Sequence, residues 1–249
     1  MGLLRSIFAT GSGPSERQIR RALKQSIQMH GDPSTRVGAM ERLAGWKTTA
    51  SVAALLRRFT VQVPQASMDQ DEKQYTVRLL VQSGRVAVDP ILHYLRTEPE
   101  VTWPLRALRE ILPIDEFSSV LKGILEEMAG AYSRWPEAKE VVIEQLPDEA
   151  FPLVREIVFR FLEDDDDDVC IAAVDYLVRH GDEEIRDRLL QVFLAADSRP
   201  RVRGRILDQF CEHDWPVKGY RKKVEEAISE PFYLTAKGTV RRKGSGPPA

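Results

Sequence analysis

The side chains that most often carry catalysis or bind metals are scattered along this sequence. The four histidines are His30, His93, His180 and His213, and the two cysteines are Cys170 and Cys211. No two of them have the spacing of a zinc-binding helix, a zinc half-site or a redox motif. The sequence also has no glycine-rich phosphate loop and no nucleophile elbow. We therefore expect no catalytic residue, no cofactor and no metal site, and the chain is predicted not to be an enzyme.

The run from Glu163 to Asp168 is the densest group of oxygen ligands in the sequence. Clustered carboxylates favour calcium, but this run lacks the alternating spacing and the central glycine of a calcium loop. It falls between two predicted helices, where Asp167 or Asp168 can accept hydrogen bonds from the first N–H groups of the second helix. The run is therefore predicted to be a solvated turn with a helix cap, with calcium binding as the alternative.

A basic helix face is the clearest candidate binding surface. Arg17, Arg20, Arg21 and Lys24 have the i, i+3, i+4, i+7 spacing that places side chains on one side of a helix. Such a face can contact phosphates, lipid head groups or an acidic protein surface. The alternative is a solvated face on a capping helix, because terminal repeats need a polar exterior.

Cationic residues also recur near the C-terminus, where the candidates for partner binding are Lys218, Arg221, Lys222, Arg241 and Arg242. Residues 1–60 contain 10 basic and 3 acidic residues, residues 61–198 contain 14 and 29, and residues 199–249 contain 12 and 6. The overall charge of −2 therefore conceals a basic, an acidic and a second basic segment. A partner with an acidic surface is the expected ligand of the basic segments.

Three of the four tryptophans precede a proline, at Trp103, Trp135 and Trp215. Proline suits the first turn of a helix, and an apolar residue before it can pack on the following turn. Each pair is therefore predicted to begin a helix. The alternative is a set of exposed aromatic anchors for a partner or for a flipped base.

The elements that would position these residues are helices. Apolar residues recur at helical spacing from Ser15 to about Ile228, whereas two-residue alternation is scarce. Glycine and proline interrupt this pattern and leave helices of about 10 to 16 residues, which must stack to bury their apolar faces. Large apolar residues close successive segments every 31 to 37 residues, namely Leu43, Leu80, Ile111, Leu146, Leu177 and Phe210. This period is typical of a helical solenoid, so the predicted fold class is all-α.

One segment shows the repeat most clearly. Residues 150–162 predict a helix with Pro152 near its start, and the next helix opens with Val169 and Ala172-Ala173 and closes at Leu177. This arrangement resembles the HEAT-repeat proteins of the armadillo-like class, over roughly residues 15 to 228. The resemblance implies a HEAT-like α-α superhelix of about five to six helix pairs.

The resemblance also implies a ladder of Asp–Arg pairs between successive repeats. The arginine that the family places after the turn valine is matched here by Arg78, Arg106 and Arg203. Cys170 occupies this position in the best-defined repeat, which predicts an interrupted ladder there and a thiol within the core.

Three regions are expected along the chain. Residues 1–14 are predicted to be a flexible segment, residues 15–230 the HEAT-like α-solenoid, and residues 231–249 a basic and largely disordered tail. Within the tail, residues 232–234 and 239–240 flank a turn at 236–238 and are able to pair as a small hairpin.

The predicted function is a non-catalytic protein–protein interaction scaffold or adaptor, because stacked helix pairs present a long surface without enclosing a pocket. Its concave face would be formed by the second helix of each pair. One alternative is a nucleic-acid-binding or DNA-repair protein of HEAT-like fold, similar to the alkylpurine glycosylases. Another is a regulatory subunit of a larger enzyme, and the oligomeric state is left open.

Composition restricts the setting in which the chain works. Hydrophobic residues make up 43% and charged residues 30%, which excludes a disordered chain and a membrane bundle. No apolar run approaches the roughly 20 residues of a spanning helix. Two cysteines in a chain of this length give no disulfide framework, so we expect a cytoplasmic protein.

Overall fold

The computed structural model describes residues 13–130 and 135–244, and these residues are mainly α-helical. The all-α class is therefore confirmed for this part of the chain. The predicted flexible segment lies almost entirely outside the described residues, as does the end of the predicted tail, residues 245–249. The fold divides into two compact units, Met1–Phe117 and Ser118–Ala249, where the sequence predicted one array.

The first unit contains α1 (Glu16–Ser26), α2 (Pro33–Gly45), α3 (Thr49–Leu56), α4 (Ala66–Ser83), α5 (Val88–Thr97) and α6 (Thr102–Ile111). α7 (Ile114–Gly130) contains the boundary between the units. Side chains define where the first helices begin: Ser15 caps α1 in a capping box with Gln18, Asp32 caps α2 before Pro33, and Thr48 caps α3.

Packing in the first unit follows two alternating series of helices. α2 packs on α4 and α4 packs on α6, while α3 packs on α5, and α1 covers both α2 and α3. The buried side chains between them include Met40, Leu43, Leu55, Leu80 and Ile91. Two of these, Leu43 and Leu80, are closing positions of the predicted repeat.

A buried ion network lies within this apolar packing. Glu72 of α4 accepts from Arg36 Nη2 of α2 at 2.7 Å and from Arg58 Nε at 3.0 Å. Arg58, in the short 3-10 turn after α3, also donates to Asp69 Oδ1 at 2.8 Å. Burial alone would raise the pKa of Asp69, but hydrogen bonds from Arg58, Lys73 and the Val63 N–H outweigh it and hold the pKa below its usual value.

The second unit contains α8 (Pro136–Glu144), α9 (Phe151–Phe161), α10 (Asp167–Val178), α11 (Glu183–Ala195), α12 (Pro200–Glu212), α13 (Arg221–Ala227), β1 (Phe232–Leu234) and β2 (Val240–Arg242). α8, α10 and α12 pack in succession, α9 and α11 both contact α10, and α11 contacts α13. Ala173, Leu177, Phe193 and Phe210 are fully buried. Cys170 is fully buried as predicted, and its thiol donates to the Leu162 carbonyl at 3.1 Å.

Carboxylates of α10 pair with arginines at the start of α12 and within it. Asp167 binds Arg199 Nε at 2.7 Å, Asp175 binds Arg205 Nε at 2.6 Å, and Asp168 pairs with Arg201. The pairs connect neighbouring helices although Cys170 replaces the arginine that the resemblance predicted. The arginines are instead Arg199, which directly precedes α12, and Arg201 and Arg205 within this helix.

The acidic run is a turn with a cap, although the capping residue differs from the prediction. Asp166 caps α10, accepting from the N–H groups of Asp168 and Val169 at 2.9 and 3.2 Å, whereas Asp167 and Asp168 lie in the first helical turn. Asp164 pairs with the buried Lys139 of α8 at 2.7 Å. The prediction of a capped turn is therefore confirmed, and the choice of Asp167 or Asp168 as its cap was wrong.

The predicted hairpin is present and packs on the helices. β1 and β2 pair in antiparallel register, with Tyr233 opposite Arg241, and the positive φ of 78° at Gly238 turns the chain between them. Phe232 and Val240 are buried, and β2 contacts α12. Residues 231–244 are therefore a packed hairpin and not the disordered tail that their composition predicted.

The Trp-Pro pairs have different structural roles. Pro136 is the first residue of α8, and Trp103-Pro104 lies in the first turn of α6. Trp215 begins no helix, which corrects that prediction: Pro216 forms a bridge with Thr239 instead. The Trp215 ring stacks on His213 at 5.0 Å and fits against Gly181, where a Cβ atom would lie 2.5 Å from Trp215 Cζ2.

Candidate partner-binding surface

The four predicted cations of α1 are all exposed. Ala22 and Ser26 are the buried residues of this helix, and they hold it against its neighbours while the basic face points to solvent. Arg20 pairs with Glu16 of the same helix. Within the described residues no carboxylate forms an ion pair with Arg17, Arg21 or Lys24.

The absence of nearby acids extends into the sequence before α1. Residues 1–12 contain no aspartate or glutamate. Asp32, at the start of α2, is occupied as a helix cap by the Thr35 N–H at 2.9 Å and by the Ser34 hydroxyl. Glu41 accepts from the Tyr75 hydroxyl at 2.7 Å. The nearest acids along the chain thus have other partners, and the charge of the basic face is left for a ligand.

A groove adjoins this face, and its far wall comes from α2. It is a cavity of about 370 Å³ lined by Gln18, Arg21, Ala22, Gln25, Arg42 and Trp46. Arg42 Nη2 donates to Gln25 Oε1 at 2.7 Å across the groove. Within the part of the chain that the structure describes, Arg42 has no ion-pair partner, so the groove carries two cations from two different helices.

Sequence analysis missed Arg42 and Trp46. The sequence did contain a signal for them. Trp46 follows Arg42 at the i+4 position, and Leu43, the closing apolar residue of the repeat, is next to Arg42. That spacing places both on the flank of α2 next to its buried face. Their position beside α1 depends on helix packing, which no single segment encodes.

The C-terminal cations are partly used within the fold. Arg241 pairs with Asp214, Arg242 with Asp208 at 3.3 Å, and Arg221 with Glu225 at 3.0 Å. Arg221 also donates to the Ala236 carbonyl of the hairpin at 2.8 Å. These three arginines fasten the hairpin and α13 to the second unit, so they offer less charge to a ligand than their sequence spacing suggested.

Lys218 and Lys222 remain exposed, and no carboxylate pairs with them within the described range. Lys218 precedes α13, which begins at Arg221, so the helical spacing predicted for this group does not apply to it. The two lysines therefore do not form a stripe comparable to the basic face of α1.

The chain matches no protein-family model, no curated protein and no solved structure.

The remaining reactive residue types have structural environments. Burial raises the pKa of the Cys170 thiol to about 11, so this residue is protonated near neutral pH. The His180 ring stacks on Phe151 at 3.7 Å, and burial lowers the pKa of this histidine. In the described ranges no group of three or more His, Cys, Asp or Glu side chains is arranged to hold a metal ion.

The acidic character of the middle segment affects the pKa of one of its carboxyl groups. Burial raises the pKa of Glu140, and the neighbouring charges of Glu144, Asp168, Asp166 and Glu137 raise it further. The negative charge of this cluster favours a cationic ligand, whereas the basic face of α1 favours an anionic one.

Across the described helices, none is long and apolar enough to cross a membrane.

Proposed function

We propose that this chain is a non-catalytic interaction module that binds the acidic surface of a protein partner through the basic face of α1. The observation that carries the proposal is that, among the described residues, Arg17, Arg21 and Lys24 lack acidic partners, in contrast to the paired Arg199 and Arg205 at the start and in the middle of α12. Unpaired exposed charges of one sign on a rigid helix attract a ligand of the opposite sign.

We further propose that each unit is built as a HEAT-like stack of helix pairs. The alternating packing of α2, α4 and α6 beside α3 and α5 supports this, as does the succession of α8, α10 and α12. Aspartate–arginine pairs also connect α10 with the start and the middle of α12, although their arginines are Arg199 and Arg205 and not Arg203, the one that the resemblance named there. In such a stack a terminal helix has one face without a neighbour, and among the described helices of the first unit the first helix is α1.

A charge-reversal experiment tests the binding proposal. The variant Arg17→Glu, Arg20→Glu, Arg21→Glu and Lys24→Glu is compared with the wild-type chain as bait in a lysate of the source cells. Bound proteins are quantified by mass spectrometry at low and high salt. We expect proteins with acidic surfaces to bind the wild-type chain at low salt and to be lost from the α1 variant, because clustered exposed charges act together and are screened by salt.

The matched control carries the same change in charge elsewhere. Its substitutions are Arg78→Glu, Arg109→Glu, Arg188→Glu and Lys237→Glu, all at exposed positions outside the predicted binding residues. This control should retain the proteins bound by wild type. Equal loss from both variants would show a general charge effect, and unchanged binding by the α1 variant would remove α1 from the interface; either result contradicts the proposal.

A further inference from the structure

We propose that the groove between α1 and α2 binds a phosphorylated serine or threonine in an acidic segment of the partner. This inference rests on the proposed function and specifies the chemical group that the α1 surface recognises. Three features of the groove support it: most of its free hydrogen-bonding groups are donors, it contains two arginines, and further cations lie beside it.

The acceptor oxygens of the two groove glutamines are already occupied. Gln18 Oε1 accepts from the Ser15 backbone N–H and from the Ser15 hydroxyl, both at 2.8 Å. Gln25 Oε1 accepts from Arg42 Nη2 at 2.7 Å. The amide NH2 groups of both glutamines therefore remain as free donors, and Gln25 Oε1 keeps one further acceptor position.

The other polar side chains of the groove only donate. Arg21 and Arg42 each carry five N–H donors and no acceptor, and the Trp46 indole contributes one N–H. A groove whose free hydrogen-bonding capacity consists mostly of donors favours a ligand rich in acceptor oxygens. Arg21 and Arg42 both line the groove, and in the part of the chain that the structure describes neither has a carboxylate partner, so their charges favour an anion as this ligand.

A phosphoryl group satisfies these donors better than a carboxylate does. It presents three acceptor oxygens and a charge of about −1.5 to −2 near neutral pH, whereas a carboxylate has two oxygens and one negative charge. Guanidinium groups suit the paired oxygens of a phosphate. The cavity of about 370 Å³ is large enough for the group and for the side chain that carries it.

The surroundings of the groove favour a peptide over a free phosphate. Arg17 lies one turn before Arg21 on α1 and Lys24 lies one turn after it, and both are exposed. Cations on either side of the central arginine can pair with acidic residues on either side of the phosphorylated one. Clustered arginines are a recurrent means of recognising phosphorylated and acidic motifs.

The test measures fluorescence anisotropy of short labelled peptides with the full chain. One peptide has a phosphoserine flanked by glutamates, and two others replace the phosphoserine with serine or with glutamate. We expect the phosphoserine peptide to bind about tenfold more tightly than either of the others. Equal affinity for the phosphoserine and glutamate peptides, or for the phosphoserine and serine peptides, would overturn the inference.

Two variants locate the site. Arg42→Gln keeps a hydrogen-bonding side chain in the groove but removes its charge, and it should reduce the preference for phosphoserine to less than twofold. Arg109→Gln removes an exposed charge from α6 and should leave the preference unchanged. Identical behaviour of the two variants would overturn the assignment to this groove, and so would tighter binding of an oligonucleotide or an anionic vesicle that depends on Arg42.

The outcome also separates this inference from the proposed function. If the charge-reversed α1 variant loses its partners but the peptides bind alike, the phosphate assignment is wrong and the acidic interface stands. If the charge-reversed variant keeps its partners and the phosphoserine peptide shows no preference, both are wrong. Circular dichroism of each variant checks that the helices are intact.

Discussion

Glu72 shows how a single carboxylate organises the first unit. Its two oxygens accept from Arg36 and Arg58, and the side chain is almost completely buried. Removing a charge from solvent is costly, and the cost is offset only while every member of the network has its partners. We therefore expect the network to tolerate the loss of one partner poorly.

Replacing Glu72 tests this expectation. Glu72→Ala leaves two buried guanidinium groups without their shared carboxylate and should lower the free energy of unfolding by about 3–5 kcal/mol. Urea denaturation followed by circular dichroism measures the change. The control Glu110→Ala removes an exposed carboxylate of α6 and should alter stability by about 0.5 kcal/mol or less. A similar small change for both variants would contradict a structural role for the network.

His180 predicts a pH dependence of stability. Burial against Phe151 and Tyr176 lowers the pKa of His180, and Arg179 lowers it further, while Asp148 and Asp182 oppose the shift. The unfolded chain therefore binds this proton at a higher pH than the folded chain does. The neutral His180 therefore contributes fully to stability above about pH 6.5, the pKa of histidine in the unfolded chain. This contribution is lost as the pH falls below that value.

His180→Phe keeps an aromatic ring on Phe151 but cannot bind a proton. The free energy of unfolding of wild type should fall more steeply than that of the variant between about pH 6.5 and about pH 5. Urea denaturation across this interval measures both slopes. Parallel slopes would show that His180 does not titrate differently in the folded and unfolded chains.

At the scale of helices and turns, the acidic run illustrates how side chains set helix boundaries. Asp166 accepts hydrogen bonds from the first N–H groups of α10, whereas the neighbouring Asp165 is exposed and does not cap this helix. Both residues carry the same charge next to the same helix dipole. They differ in whether the side chain accepts hydrogen bonds from the helix.

Substitution of each aspartate separates the cap from the charge. Asp166→Ala should cost about 1 kcal/mol because the first N–H groups of α10 lose their acceptor. Asp165→Ala should be nearly neutral or slightly stabilising because it removes an exposed charge from an acidic cluster. Thermal melts of both variants provide the comparison. Equal losses would indicate that the run acts only through its total charge.

Leu177 tests the closing position of the repeat in α10. It is fully buried, so Leu177→Ala should lower the free energy of unfolding by about 2–5 kcal/mol through lost apolar burial and a cavity. Leu153, in the first turn of α9, is 46% exposed and provides the matched Leu→Ala control. Denaturant unfolding of both variants gives the difference. A loss at Leu177 no larger than at Leu153 would contradict its place in the core.

The sequence predicted helices well because their signals are local. Asp32-Pro33 and Ser15 with Gln18 mark helix starts within a few residues of themselves, and the apolar period of α10 predicted the burial of Leu177. The hairpin was foreseen from its turn, but its packing was not, because Asp208 and Asp214 lie far from β2 in sequence. The periodicity of apolar residues along the sequence does not predict ion pairs between residues so far apart.

In the candidate site, too, some residues could be predicted from local spacing and others only from the packing of helices. The basic face of α1 follows directly from helical spacing, whereas Arg42 and Trp46 join it only through the packing of α2 against α1. The C-terminal arginines satisfied the same charge pattern, yet Arg221, Arg241 and Arg242 bind groups of their own unit. Charge patterns therefore predicted where cations occur but not which of them have partners.

Over the whole molecule, the total charge of −2 is uninformative because opposite charges are concentrated in different segments. Many cations of the second unit are neutralised within that unit, by the pairs between α10 and α12 and by those of the hairpin. On α1, only Arg20 has such a pair among the residues described. This difference in pairing, rather than the charge count, is the reason we propose α1 as the surface for an acidic partner.

Hydrogen exchange of the purified complex tests this claim most directly. The partner isolated with the wild-type chain is kept bound while amide exchange is followed by mass spectrometry, and the free chain is measured in parallel. The account predicts slower exchange in α1, residues 16–26, and in the end of α2 that carries Arg42 and Trp46, with little change in α8 to α13. Slowed exchange confined to α8–α13, with α1 unchanged on binding, would contradict it.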